Sequence, residues 1–172
     1  MSISIRDNHS CLYGLALLAV VGLAGCSAER GATESSLEIS GVYVAEPVLG
    51  ERAAMYLTVD NLGDADDELV AVSTPVAGVV EIHRTVSDGG MMRMERVESL
   101  EIPTGEQVRL APGGYHIMLL ELQDHIMPGD AIDATLRFHR AGEVAVRARV
   151  LSLAEIEDVV GTTGEHVRHG TF

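Results

Sequence analysis

At 172 residues, 47% hydrophobic and 22% charged, with 18 Gly and only 5 Pro, the chain has the composition of one ordinary globular domain, not of a disordered tail or a bundle of membrane spans. Its 26 acidic residues outnumber 12 basic ones, all Arg, for a formal net charge of -14. With 3% aromatic residues and no Trp, that balance argues against nucleic-acid binding and against docking on an anionic membrane surface.

The first element is a leader. Both cysteines, Cys11 and Cys26, lie within it, and Leu12–Gly25 between them is apolar apart from Tyr13. That run is short for a helical membrane span and suits a signal-peptide core, with a plain N-terminal anchor as the alternative. Leu23-Ala24-Gly25-Cys26 resembles the bacterial lipobox, in which the Cys is lipidated and becomes the mature N-terminus. The expected organisation is a lipoprotein signal peptide over 1–25, lipidation at Cys26 and a polar tether over 26–36. A domain over 37–152 and a flexible C-terminal extension over 153–172 complete it. The expected location is the cell envelope, as a periplasm-facing lipoprotein of the outer or inner membrane, touching the bilayer only through its lipid anchor. The mature domain then has no thiol, so its chemistry must work without sulfur nucleophiles.

Ten short β-type runs follow: 37–44, 53–61, 68–73, 79–86, 91–98, 100–102, 107–110, 115–122, 131–139 and 144–151. Turn signals separate them, among them Pro103-Thr104-Gly105, Pro112-Gly113-Gly114 and Pro128-Gly129-Asp130. No stretch holds a helical period over three turns, although one helical turn is compatible with Leu153–Val160. Many short strands at close spacing predict an all-β antiparallel sandwich or barrel.

Enzyme signatures are absent. There is no Gly-x-Ser-x-Gly, no phosphate-cradling glycine loop, no His-Glu-x-x-His and no Lys for a Schiff base. Soft ligands, in contrast, cluster: four of 7 Met fall between residues 91 and 118, together with His116, and His83 precedes them. Asp88-Gly89 reads as a two-residue hairpin turn, which would pair Thr85 with Met92 and His83 with Met94. On the strand Tyr115-His116-Ile117-Met118, His116 and Met118 share a face. Two His/Met pairs above adjacent strands would make a soft, uncharged site that favours Cu(I) over Zn, Mg or Ca. The plainer reading is that the methionines fill core gaps and the histidines are ordinary hydrogen-bonded residues. Spacing alone leaves both open.

His83, Met94, His116 and Met118 fit His-x10-Met-x21-His-x-Met, and the chain here resembles the periplasmic PCu(A)C copper chaperones. The likeness extends over about 38–152 and includes Gly90-Met91-Met92-Arg93-Met94 and Leu110-Ala111-Pro112-Gly113-Gly114-Tyr115-His116-Ile117-Met118. It implies a cupredoxin-like Greek-key β-sandwich that holds Cu(I) on those four residues. It further implies delivery to the copper-binding subunit of cytochrome c oxidase, often alongside a Sco-type protein. One departure is Arg84-Thr85, where many members read Glu-Met after the first His, so an auxiliary Met is missing.

Two further clusters need placing. His125-Ile126-Met127 repeats the His-Ile-Met string but precedes Pro128-Gly129 and is expected in a loop outside the motif. His166 and His169, three residues apart in the tail, are a candidate second metal site. The expected function is a non-enzymatic Cu(I) metallochaperone, with copper storage or detoxification as the alternative. A blue-copper electron carrier is excluded by the missing Cys ligand, and a structural β-lipoprotein with a Met-filled core is the remaining rival. Met118, after Pro112-Gly113-Gly114, is the ligand expected nearest a position that a partner can reach.

Overall fold

The computed structural model describes residues 36–47 and 51–161. The expected signal peptide, Cys26, almost all of the tether, and His166 and His169 lie outside the described residues. Among those described, no helix is long and apolar enough to cross a membrane.

Ten strands form: β1 (Leu37–Ala45), β2 (Arg52–Asn61), β3 (Asp67–Ser73), β4 (Ala77–Asp88), β5 (Met91–Val97), β6 (Leu100–Ile102), β7 (Gln107–Leu110), β8 (Tyr115–Leu122), β9 (Ala131–Phe138) and β10 (Gly142–Leu151). Alternation drives them. In β2, Ala53, Met55, Leu57, Val59 and Asn61 are buried while the residues between stay partly open, the period-2 signature of a sheet with one face on the core. β9 repeats the pattern with Ile132, Ala134, Leu136 and Phe138.

The strands join in the order β5-β4-β8-β7-β2-β1-β10-β9-β3-β6, with β8 also pairing β2. β3 packs on β4 although neither is hydrogen-bonded to the other, so the sheet folds back into two layers. Between them lies one core, with Leu57, Ile117 and Leu119 from one end of the strand order and Leu69, Leu136 and Val150 from the other. The all-β sandwich expected from the sequence is thus the fold. Its pairing departs from the purely antiparallel scheme in two places: β1 runs parallel to β10, and β7 meets β8 in parallel at Leu110 and Tyr115. The first and last strands are neighbours that run the same way, with the whole domain as their crossover.

Residues 153–161, the described part of the expected C-terminal extension, pack on the domain. Ser152 caps α1 (Leu153–Ile156): its backbone N–H donates to the Glu155 carboxylate at 2.9 Å, and its hydroxyl accepts from the Glu155 N–H. A π-helical turn over Glu157–Gly161 continues it. Ile156 and Val160, four residues apart, bury together against Ala45 and Leu151, with Tyr43 and Tyr56 alongside. That apolar pair is what holds residues 153–161 to the domain.

Candidate metal centre

Three adjacent strands, β5-β4-β8, carry the residues singled out by the sequence. Ile82 on β4 and Ile117 on β8 point into the core. Alternation then places Glu81, His83 and Thr85, and with them His116 and Met118, on the opposite face. His83 stands directly across from His116, and Glu81 across from Met118. On the other flank Thr85 faces Met94 and His83 faces Arg96. All four residues His83, Met94, His116 and Met118 therefore share one face of a three-stranded patch.

The hairpin register differs from the expected one by two residues. Its loop is Gly89-Gly90, closed by Asp88 and Met91, so His83 faces Arg96 and Met94 faces Thr85. A two-residue primed turn needs positive φ at both central positions. Gly89 and Gly90 adopt φ of 58° and 85° without steric conflict, whereas an Asp88-Gly89 loop would force Asp88 into that region. Because the shift is even, every side chain keeps its face. His83 and Met94 are diagonal neighbours rather than a facing pair, still within reach of a long thioether.

The imidazoles are fixed in complementary ways. Their ring centroids lie 5.9 Å apart with the planes inclined at 54°. His83 Nε2 donates to the Glu81 carboxylate at 2.8 Å, and the other Glu81 oxygen lies 3.5 Å from Arg96 Nη1. His116 Nδ1 lies 3.1 Å from the Gly114 carbonyl oxygen, which can only accept, so Nδ1 carries the proton. Each ring thus has its N–H committed and a lone pair free on the second nitrogen. Those two atoms, His83 Nδ1 and His116 Nε2, are the buried side-chain nitrogens or oxygens without a hydrogen-bond partner among the described residues. Burial pushes the His116 pKa down; the Gly114 hydrogen bond opposes this, while the neighbouring His83 reinforces it. The neutral, ligating form is favoured.

The thioethers complete the patch unequally. Met94 is 62% exposed, whereas Met118 is half-buried, opposite Ala54 on β2. The reachable ligand is therefore Met94, the reverse of the expectation for Met118. No group of three or more His, Cys, Asp or Glu side chains suited to a metal ion occurs among the described residues. The sulfurs of Met94 and Met118 are the soft donors on the face that carries this pair of imidazoles.

The other candidates stay apart. His125 and Met127 are exposed in the loop after β8. That loop leaves β8 at Leu122, which pairs with Ala77 at the end of β4 remote from His83. Glu81 and Arg96 went unnoticed in the sequence. Glu81 was visible in principle, two residues from His83 on one strand, but Arg96 depends on the true hairpin register.

The profile of the LpqE-like lipoprotein family matches residues 37–150. The chain belongs to the LpqE-like family. It is 32% identical over 127 residues to the "Putative lipoprotein Lxx21020" of Leifsonia xyli subsp. xyli, an alignment spanning 69% of this chain and 76% of that protein. Among solved structures it is similar to a copper-bound PCuAC domain from PmoF2, at 29% identity and a TM-score of 0.59, covering 68% of this chain and 93% of that domain. It is likewise similar to the Cu(I) form of DR1885 from Deinococcus radiodurans, at 26% identity and a TM-score of 0.54, covering 74% and 85%. The resemblance to PCu(A)C domains read from the motif is matched by these folds.

Proposed function

We propose that this LpqE-like chain is a Cu(I)-binding metallochaperone of the cell envelope. Copper is its cargo, held by His83 Nδ1, His116 Nε2 and the sulfurs of Met94 and Met118. The observation that carries this reading is the pair of buried, unpartnered imidazole nitrogens on facing strands, each ring oriented through its other nitrogen. Orientation of a ligating His by a carboxylate or a backbone carbonyl is the usual support of a metal site. The copper-bound and Cu(I)-bound relatives support the choice of ion.

Release follows from the ligand set. None of the four ligands is anionic, and Met94 is open to solvent, so an acceptor's thiolate can reach the ion on that side and replace the neutral ligands one by one. The recipient we propose is the copper centre of cytochrome c oxidase, with a Sco-type protein as co-worker. The protein performs no catalytic step in this scheme. Lipidation at Cys26 would tether it on the periplasmic side of a membrane, a reading supported by the lipoprotein family it belongs to. An unmodified Cys26 in the intact mass of the mature protein would remove the anchor from the scheme.

The test of function mixes the Cu(I)-loaded chain with an equimolar amount of the reduced, metal-free copper domain of the oxidase. Copper is expected on the acceptor after separation. Copper that stays with the donor overturns delivery and leaves storage or detoxification as the function.

A further inference from the structure

Resting on the four-ligand reading, we propose that Met92 and Met94 form an outer thioether site on the β4–β5 hairpin, which receives Cu(I) before the imidazoles do and holds it again on the way out. The two residues alternate with Arg93 along β5, so they share the face that bears His83 and His116. Met92 faces Ser87 and lies nearer the Gly89-Gly90 tip, about 6–7 Å along the strand from Met94.

Packing does not account for these side chains. Met55 is wholly buried and fills the core, whereas Met92 and Met94 are 65% and 62% exposed. Met91 is exposed as well, but it projects from the opposite face of the hairpin and supplies an internal control. A methionine side chain has three rotatable bonds, enough for two sulfurs at this spacing to converge on one ion without moving the strand. The hydroxyls across the ladder, on Ser87 and Thr85, are hard donors that do not compete for a soft cation.

Passage inward is a ligand exchange. Cu(I) bound to the Met92 and Met94 sulfurs gains bonds to His83 Nδ1, His116 Nε2 and the Met118 sulfur in turn, and the bond to Met92 breaks. Met94 belongs to both sites. The ion stays monovalent and no proton moves, because both nitrogens already present lone pairs. The outward passage reverses these steps and offers the ion to an acceptor from the hairpin tip.

The experiment uses the full chain with its methionine methyl groups labelled with carbon-13. Silver(I), a redox-inert stand-in for Cu(I), is titrated into the His83→Gln/His116→Gln variant, and the Met92 and Met94 methyl signals are expected to shift while Met91 stays in place. Met92→Leu is expected to slow Cu(I) uptake from a bicinchoninate complex severalfold at unchanged equilibrium affinity, and Met91→Leu to alter neither. Uptake by Met92→Leu at the unsubstituted rate, or a Met92 methyl that silver leaves unmoved, overturns the outer site. Failure of the underlying reading looks different, since Cu(I) would then leave the Met118 signal of the unsubstituted protein unshifted. Should the double variant not fold, the exposed Met92→Leu substitution decides the matter alone.

Discussion

Two regions of the domain that bury polar side chains treat them in opposite ways. At one, Asn61 donates to the carbonyl oxygens of Ile102 and Ala65 and accepts from the Gly63 N–H, while Asp67 accepts from the N–H groups of Glu68, Arg140 and Ala141. Each of these side chains has its hydrogen bonds met by the backbone around it. At the other, His83 and His116 each leave a buried nitrogen with no partner at all. An unsatisfied buried acceptor is destabilising by about 1–3 kcal/mol, so its presence needs a reason. Buried polarity serves structure at Asn61 and Asp67; at the histidine pair it is left unpartnered, as the proposed copper site requires. The contrast separates substitutions that should touch stability from those that should touch metal.

The largest effect is expected at the histidines. His83→Ala or His116→Ala should weaken Cu(I) binding by more than about 100-fold, beyond the loss typical of an orienting partner. Competition against a chromophoric Cu(I) chelator measures it. Met94→Ala and Met118→Ala should weaken Cu(I) selectively, and variants that keep the original preference for Cu(I) over Zn(II) would show that sulfur does not set the selectivity.

Asn61→Ala should do the converse. It strips the Ile102 carbonyl of its buried donor and should lower unfolding free energy by about 1–3 kcal/mol, read by urea titration of the metal-free chain. Cu(I) affinity of the folded variant should stay as it was. A parallel loss of affinity would mean that the two regions are coupled through the shared core and that the division drawn above is wrong.

Much of this was legible in the sequence because both signals are short-range. The period-2 alternation and the Pro/Gly turns located all ten strands to within a few residues, and the His/Met spacing singled out four residues that share one face of β5-β4-β8. What the sequence did not show depends on pairing. Asp88-Gly89 looks like a hairpin turn until the alternative Gly89-Gly90 is compared at both positive-φ positions, and that choice decides whether His83 faces Met94 or Arg96. The His83–His116 pairing needs β4 and β8 to be neighbours, which the intervening strands do not dictate. Docking of Ile156 and Val160 was hidden for a different reason: two apolar residues in a polar stretch acquire meaning only once β1 and β10 form the surface they cover.

A smaller effect is expected at Glu81, which has the same partner-holding role as Asn61 but acts on a ligand. Its carboxylate keeps the His83 proton on Nε2 and is itself held by Arg96. Glu81→Ala should reduce Cu(I) affinity by about 10–100-fold, and Glu81→Gln, whose amide oxygen still accepts, should restore most of it. Nitrogen-15 spectra of the metal-free protein should show His83 leaving the Nε2–H tautomer in the alanine variant. An unchanged tautomer would assign the ring's orientation to packing instead.

The smallest effect concerns pH, and its sign follows from burial. An unfolded chain protonates His116 near the ordinary imidazole value of about 6.5, whereas in the fold burial lowers that pKa. Between the two values the unfolded state binds more protons, so acid favours unfolding there. The contribution of His116 to stability is complete above about 6.5 and is lost as pH falls through the lower, folded value. Asn61 carries no charge and adds nothing to this slope. Metal-free protein should therefore melt at progressively lower temperature as pH drops below the ordinary imidazole range, and His116→Gln should flatten that decline. For copper the same shift acts as protection, because less acid competition reaches a ring that resists protonation. Affinity should hold to a lower pH than an exposed imidazole would allow, then fall as His116 becomes charged. Melting curves and chelator competition across that range measure both. A His116→Gln protein with the original pH slope would show that the buried ring is not the group that titrates.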